Sequence, residues 1–114
     1  MARFFRSDEN DFVELQILHI DDCPNWKEAG SRLRDALDAT DHQGALINYL
    51  AIQTSKDAEG TTFAGSPTIT VDGVDLFPSP GAASDLACRI YQTPSGLAGL
   101  PTTEQLIERI TAHE

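Results

Sequence analysis

The run Phe12-Val-Glu-Leu-Gln-Ile-Leu-His-Ile20, stopped by Asp21-Asp22-Cys23-Pro24, constrains this chain more than any other feature. Its first half alternates, with Val13, Leu15 and Ile17 set against Glu14 and Gln16, and its end is nearly solid apolar. That pattern predicts a strand over 12–20 that enters the interior of a sheet. Proline is favoured in a first helical turn, and Trp26, Ala29, Leu33, Ala36 and Leu37 then recur as a helical stripe. A helix is expected over 24–39, closed by the turn Thr40-Asp41-His42-Gln43-Gly44. A second strand is expected over 45–53, where Leu46, Ile47, Tyr49, Leu50 and Ile52 supply apolar and β-prone side chains. Strand, tight turn, long helix and strand make a βαβ unit, whose right-handed crossover leaves the two strands parallel neighbours.

The second half reads differently. Thr54-Ser55-Lys56-Asp57 offers cap chemistry for a short helix, weakened by Gly60. Two β-prone runs, 68–72 and 74–77, flank Asp72-Gly73, a strong signal for a two-residue hairpin. Residues 78–101 hold Pro78, Pro80, Pro94 and Pro101 and one denser segment, Asp85-Leu-Ala-Cys-Arg-Ile-Tyr91. A connection this long in a small domain is either functional or contains an element of its own. A final helix is expected over 102–112, with Thr102 and Gln105 at capping-box spacing and Leu106, Ile107 and Ile110 on its apolar face. There is no internal repeat. The predicted fold is α/β, a four-stranded mixed sheet with flanking helices.

With 114 residues the chain has one domain's length, expected over 12–114 after a polar, disordered extension at 1–11. Eighteen acidic against eight basic residues give a net charge of −10. Such a field repels phosphate backbones and anionic lipid, and no Lys/Arg cluster offsets it, which excludes nucleic acid and membrane surfaces as expected partners. No run approaches the roughly 20 apolar residues that span a bilayer. The opening residues carry two arginines without the apolar run of a signal peptide, so the expected compartment is the cytoplasm. Thiols stay reduced there unless they are redox-active. The two cysteines, Cys23 and Cys88, are too few for a four-cysteine zinc or iron–sulfur site, and no metal site is expected.

The element order β-α-β-α-β-β-α resembles the thioredoxin-like fold. Cys23-Pro24-Asn25-Trp26 at the first strand–helix junction, then Gly65-Ser66-Pro67-Thr68, then Leu86-Ala87-Cys88-Arg89-Ile90-Tyr91 are similar to a small bacterial thioredoxin-like family. Some of its members carry the label alkylmercury lyase-like. The resemblance covers about residues 13–112 and implies thiol chemistry without a cofactor. It implies that Pro67 follows a cis peptide and lies against Cys23, so that Ser66 presents its backbone N–H and C=O to an extended peptide or glutathione. Pro24, Trp26, Ser66 and Pro67 are thereby expected to bind substrate. One departure matters. Thioredoxins carry Cys-x-x-Cys, whereas Trp26 stands where the resolving thiol would be.

At a helix start, unpaired amides and the positive end of the dipole stabilise a thiolate and bring cysteine to a pKa of roughly 3.5–7.5. Asp21 and Asp22 oppose this. Cys23 is therefore the candidate nucleophile. Cys88 is open to two readings: a partner for Cys23, in a disulfide or around a soft ion, or a packed core cysteine. His19 reads as a core histidine in preference to a base for Cys23, while His42 falls in a turn and His113 near the chain's end. The expected function is a thiol redox protein acting on a protein or small thiol or disulfide, with Cys23 and Cys88 as catalytic candidates. The alternative is a non-catalytic module that binds a partner protein, a soft metal or an organomercurial.

Overall fold

The alternating run folds as β1 (Leu15–His19), in which Leu15, Ile17, Leu18 and His19 are buried. A computed structural model describes residues 14–78 and 86–113, so the expected extension at 1–11 lies outside the described residues. Burial on both faces follows from β1's place inside a four-stranded sheet of order β2-β1-β3-β4. β2 (Ile47–Ala51) pairs parallel with it, Leu15 opposite Ile47. β3 (Thr68–Val71) pairs antiparallel on the other side, Ile17 opposite Ile69. β4 (Val74–Asp75) closes the sheet antiparallel to β3. Asp72 and Gly73 have φ of 53° and 84°, the left-handed pair that a tight hairpin requires.

α1 (Asn25–Ala39) makes the β1–β2 crossover and buries Ala29, Leu33, Ala36 and Leu37. These join Leu15, Ile17, Ile69 and Val71 of the sheet and Leu106 and Ile110 of α3 (Thr103–His113) in the main core. The capping box at α3 is reciprocal: the Thr102 amide donates to Gln105 Oε1 at 2.9 Å and the Gln105 amide to Thr102 Oγ1 at 3.0 Å. A smaller cluster of Leu18, Ile20, Ile52, Phe63 and Ala58, the last from α2 (Ser55–Ala58), encloses Cys23. Thr54 caps α2 by accepting from the Asp57 amide.

Two expectations change. The strand expected over 45–53 forms only over Ile47–Ala51, and its edge position leaves Tyr49 and Leu50 half-exposed. The long connection also contains an unforeseen hairpin, β5 (Tyr91–Thr93) and β6 (Gly96–Ala98), tied to α3 by Gln105 Nε2 donating to the Gln92 carbonyl at 2.9 Å. Three-residue strands are too short for alternation to declare them. Among the described residues no helix is long and apolar enough to cross a membrane.

Candidate functional site

Cys23 reaches its place by local structure. The chain leaves β1, turns through Asp21-Asp22, and the Cys23 amide donates back to the Ile20 carbonyl at 3.2 Å. Pro24 follows as the N-cap of α1, with helical φ and ψ of −72° and −3° and no side-chain cap. Cys23 therefore stands one residue ahead of the cap, where first-turn amides lack intrahelical partners. Its side chain is enclosed; Cys23 is 2% exposed.

Cys88 is exposed and is joined to Cys23 by a disulfide, with the two Cα atoms 5.8 Å apart. Long-range contacts on both sides hold it. The Ser66 amide donates to the Ala87 carbonyl and the Arg89 amide to the Ser66 carbonyl, both at 2.8 Å, so Ser66 and Cys88 form a parallel bridge. Gly65 has φ of +109°, and a Cβ there would meet Arg89 Cβ at 2.9 Å, so this approach requires glycine. The buried Arg89 guanidinium grips the Asp75 carboxylate at 3.0 and 3.3 Å and donates to the Phe77 carbonyl. It also lies 4.7 Å over the Tyr91 ring, whose hydroxyl donates to the Pro67 carbonyl. Burial pushes that hydroxyl's pKa up, with the Arg89 cation acting in the opposite direction. Cys88 thus sits between two anchored neighbours.

The Ser66–Pro67 peptide is cis and both residues are buried. Ser66 Oγ accepts from the Ile20 amide at 3.0 Å, which ties the segment to the end of β1. The backbone groups of Ser66 expected to receive a substrate are both engaged by Ala87 and Arg89 of the chain itself. Pro24 is exposed. Trp26 is directed elsewhere: its ring stacks on His19, centroids 4.1 Å apart, and meets Tyr49 edge-on at 5.6 Å. Tyr49 lies close over Gly30 of α1, where any Cβ would collide with its hydroxyl.

His19 is 5% exposed, and its burial lowers its pKa below the ordinary 6.5, against the opposing pull of Asp21. Its Nδ1 lies 3.7 Å from Asp21 Oδ1, too far for a hydrogen bond. His42 is buried after α1, and His113 Nε2 lies 3.7 Å from Asp72 on the hairpin turn. Among the described residues no three His, Cys, Asp or Glu side chains gather as metal ligands would. A cleft of about 210 Å³ lies past the end of β1, lined by Ile20, Asp21, Asp22, Ile52, Gln53 and Leu86.

Sequence reasoning missed Asp75, the partner on which the Cys88 segment turns. It is one of 18 acidic residues, and its only local signal is a place on the inner end of a two-residue strand. Arg89 was visible beside Cys88, but an arginine in a proline-rich connection reads as solvated until its partner is known. No protein-family model, curated protein or solved structure matches the chain.

Proposed function

We propose that this chain is a thioredoxin-like thiol–disulfide redox protein whose couple is Cys23–Cys88. The observation that carries the reading is the placement of the disulfide, with one sulfur enclosed at the start of α1 and the other on an exposed segment beside cis Ser66–Pro67. The sheet order β2-β1-β3-β4, with one parallel and two antiparallel pairings, agrees with the thioredoxin-like resemblance and supports it. Trp26, packed on His19 and Tyr49, cannot resolve a mixed disulfide, so the couple spans two distant elements instead of one helical turn.

The reaction is exchange: the protein disulfide and two thiols give the protein dithiol and one external disulfide. The helix start favours the Cys23 thiolate over the thiol, while Asp21, Asp22 and the apolar enclosure of Cys23 oppose it. No cofactor enters. The proposed setting is the cytoplasm, where a couple of this kind cycles with the thiol pool.

The test is catalysed turnover of a small aromatic disulfide with glutathione as reductant. Wild type should turn over repeatedly, and Cys23→Ser and Cys88→Ser should each lose at least tenfold in rate. Equal rates in all three proteins would remove the redox reading. Uptake of one soft metal ion per dithiol without turnover would replace it with the binding-module reading.

A further inference from the structure

We infer that Cys88, not Cys23, is the sulfur at which exchange partners enter and leave, and that the Arg89–Asp75 pair keeps Cys88 in position while the disulfide is open. The inference rests on the redox reading and reverses the role that the sequence suggests for Cys23.

Access decides the first half. An attacking thiolate must reach a disulfide sulfur, and Cys23 is 2% exposed whereas Cys88 is exposed. In the first step an external thiolate bonds to Cys88 Sγ, the Cys23–Cys88 bond breaks, and Cys23 departs as thiolate. In the second, another external thiolate attacks the external sulfur of the mixed disulfide and Cys88 departs as thiolate. Two thiols are oxidised to one disulfide, and the protein disulfide is reduced to two thiols. Run backwards, the same steps oxidise the protein, with Cys23 as the resolving thiol.

The second half follows from contacts that do not depend on the bond between the sulfurs. The two backbone bonds to Ser66, the Asp75 carboxylate, the Phe77 carbonyl and the Tyr91–Pro67 contact all remain when that bond opens. Cys88 therefore stays beside Cys23, and the two thiols meet at a high effective concentration. Because residues 87–89 already fill the Ser66 edge, an extended peptide cannot pair there. The substrate class is a low-molecular-weight thiol or disulfide, or a cysteine on a flexible protein segment that can approach Cys88 from outside.

Three measurements test this. Brief reaction of the reduced protein with limiting glutathione disulfide, acid quench and peptide mapping should place glutathione on Cys88; glutathione on Cys23 would overturn the entry role. Iodoacetamide should modify Cys88 in Cys23→Ser at least tenfold faster than Cys23 in Cys88→Ser, and the reverse order would overturn it as well. For the anchor, the Ser66 and Arg89 amides should stay protected from hydrogen exchange in the reduced protein. Asp75→Asn should expose them and lower the equilibrium constant for disulfide formation against glutathione at least tenfold, which is about 30 mV for a two-electron couple. Asp75→Glu should restore part of both. Leu106→Ala, a cavity in the α1–α3 core, should leave both unchanged while folded. Free exchange of the two amides in reduced wild type would defeat the anchor while leaving thiol exchange intact. Failure of the disulfide to form in a glutathione buffer would defeat the redox reading itself.

Discussion

Cys23 and Cys88 share one bond but reach it by opposite means. Cys23 is placed by its neighbours in the chain: the end of β1, a turn closed on the Ile20 carbonyl, and a proline cap. Cys88 lies in no strand or helix and is placed by residues 11 to 22 positions earlier in the chain, Asp75, Phe77, Ser66 and Pro67, acting on its neighbours Arg89 and Tyr91 and on its own bridge to Ser66. The first arrangement buries its cysteine and the second leaves its cysteine on an exposed segment. On the proposed redox reading such a pair divides the work, with the remotely anchored cysteine meeting the substrate and the locally built one held in the interior.

The comparison can be broken most forcefully at the remote anchor. Arg89→Met removes the cation from a pair whose side chains are 6% and 11% exposed and leaves the Asp75 carboxylate unpaired in the interior. Breaking one side of such a pair costs about 3–5 kcal/mol. Urea unfolding of the reduced variant should show that loss; a change below about 1 kcal/mol, the range of exposed pairs, would make the pair a surface contact. Reduction of wild type comes next. Cys23 and Cys88 are 65 positions apart, and opening a loop of that size releases about 4 kcal/mol of constraint on the unfolded chain. Thermal melts of oxidised and reduced protein should differ by roughly 15 °C on that basis.

A smaller effect sharpens the contrast. Gly65→Ala forces a side chain into φ of +109° and against Arg89 Cβ, and strain of this kind costs about 1–3 kcal/mol. Its loss should be accompanied by faster exchange of the Arg89 amide, with the Cys23 turn unaffected. Gly60, also at positive φ but with open space around its Cβ position, is the control, and Gly60→Ala should not change Arg89 exchange.

The smallest effect concerns His19, which stacks on Trp26. Its pKa in the folded chain is depressed by burial, so below the unfolded value of 6.5 the unfolded chain binds the proton more readily. Stability therefore falls as pH drops from 6.5 towards the folded pKa, and this contribution is constant above 6.5. The difference in urea midpoint between wild type and His19→Phe should change over that window and be flat above it. A difference that is flat throughout would mean that His19 titrates normally.

The same contrast explains what a reader of the sequence can and cannot see. β1, α1, the Asp72-Gly73 hairpin and the Thr102–Gln105 box are legible because periodicity, capping and turn chemistry act within a few residues. The edge exposure of Tyr49 and Leu50 is not legible, since apolar content says nothing about which strand of a sheet ends up outermost. Nor is the meeting of Cys88, Arg89 and Asp75, because the energy that joins them is a long-range ion pair and a short parallel bridge. The cysteine at the helix start is plain in the sequence, whereas its burial depends on Leu18, Ile52 and Phe63 closing over it in the folded chain.

The central claim is that Cys23 and Cys88 form one reversible redox couple within a folded chain. Equilibrating the protein across graded ratios of reduced to oxidised glutathione, quenching with acid and counting free thiols by mass tests it most directly. The account predicts that both thiols appear together in one reversible transition, with near-ultraviolet circular dichroism still reporting a folded core at each end. Glutathione accumulating on one cysteine at all ratios, or a disulfide that opens only when the chain unfolds, would contradict it.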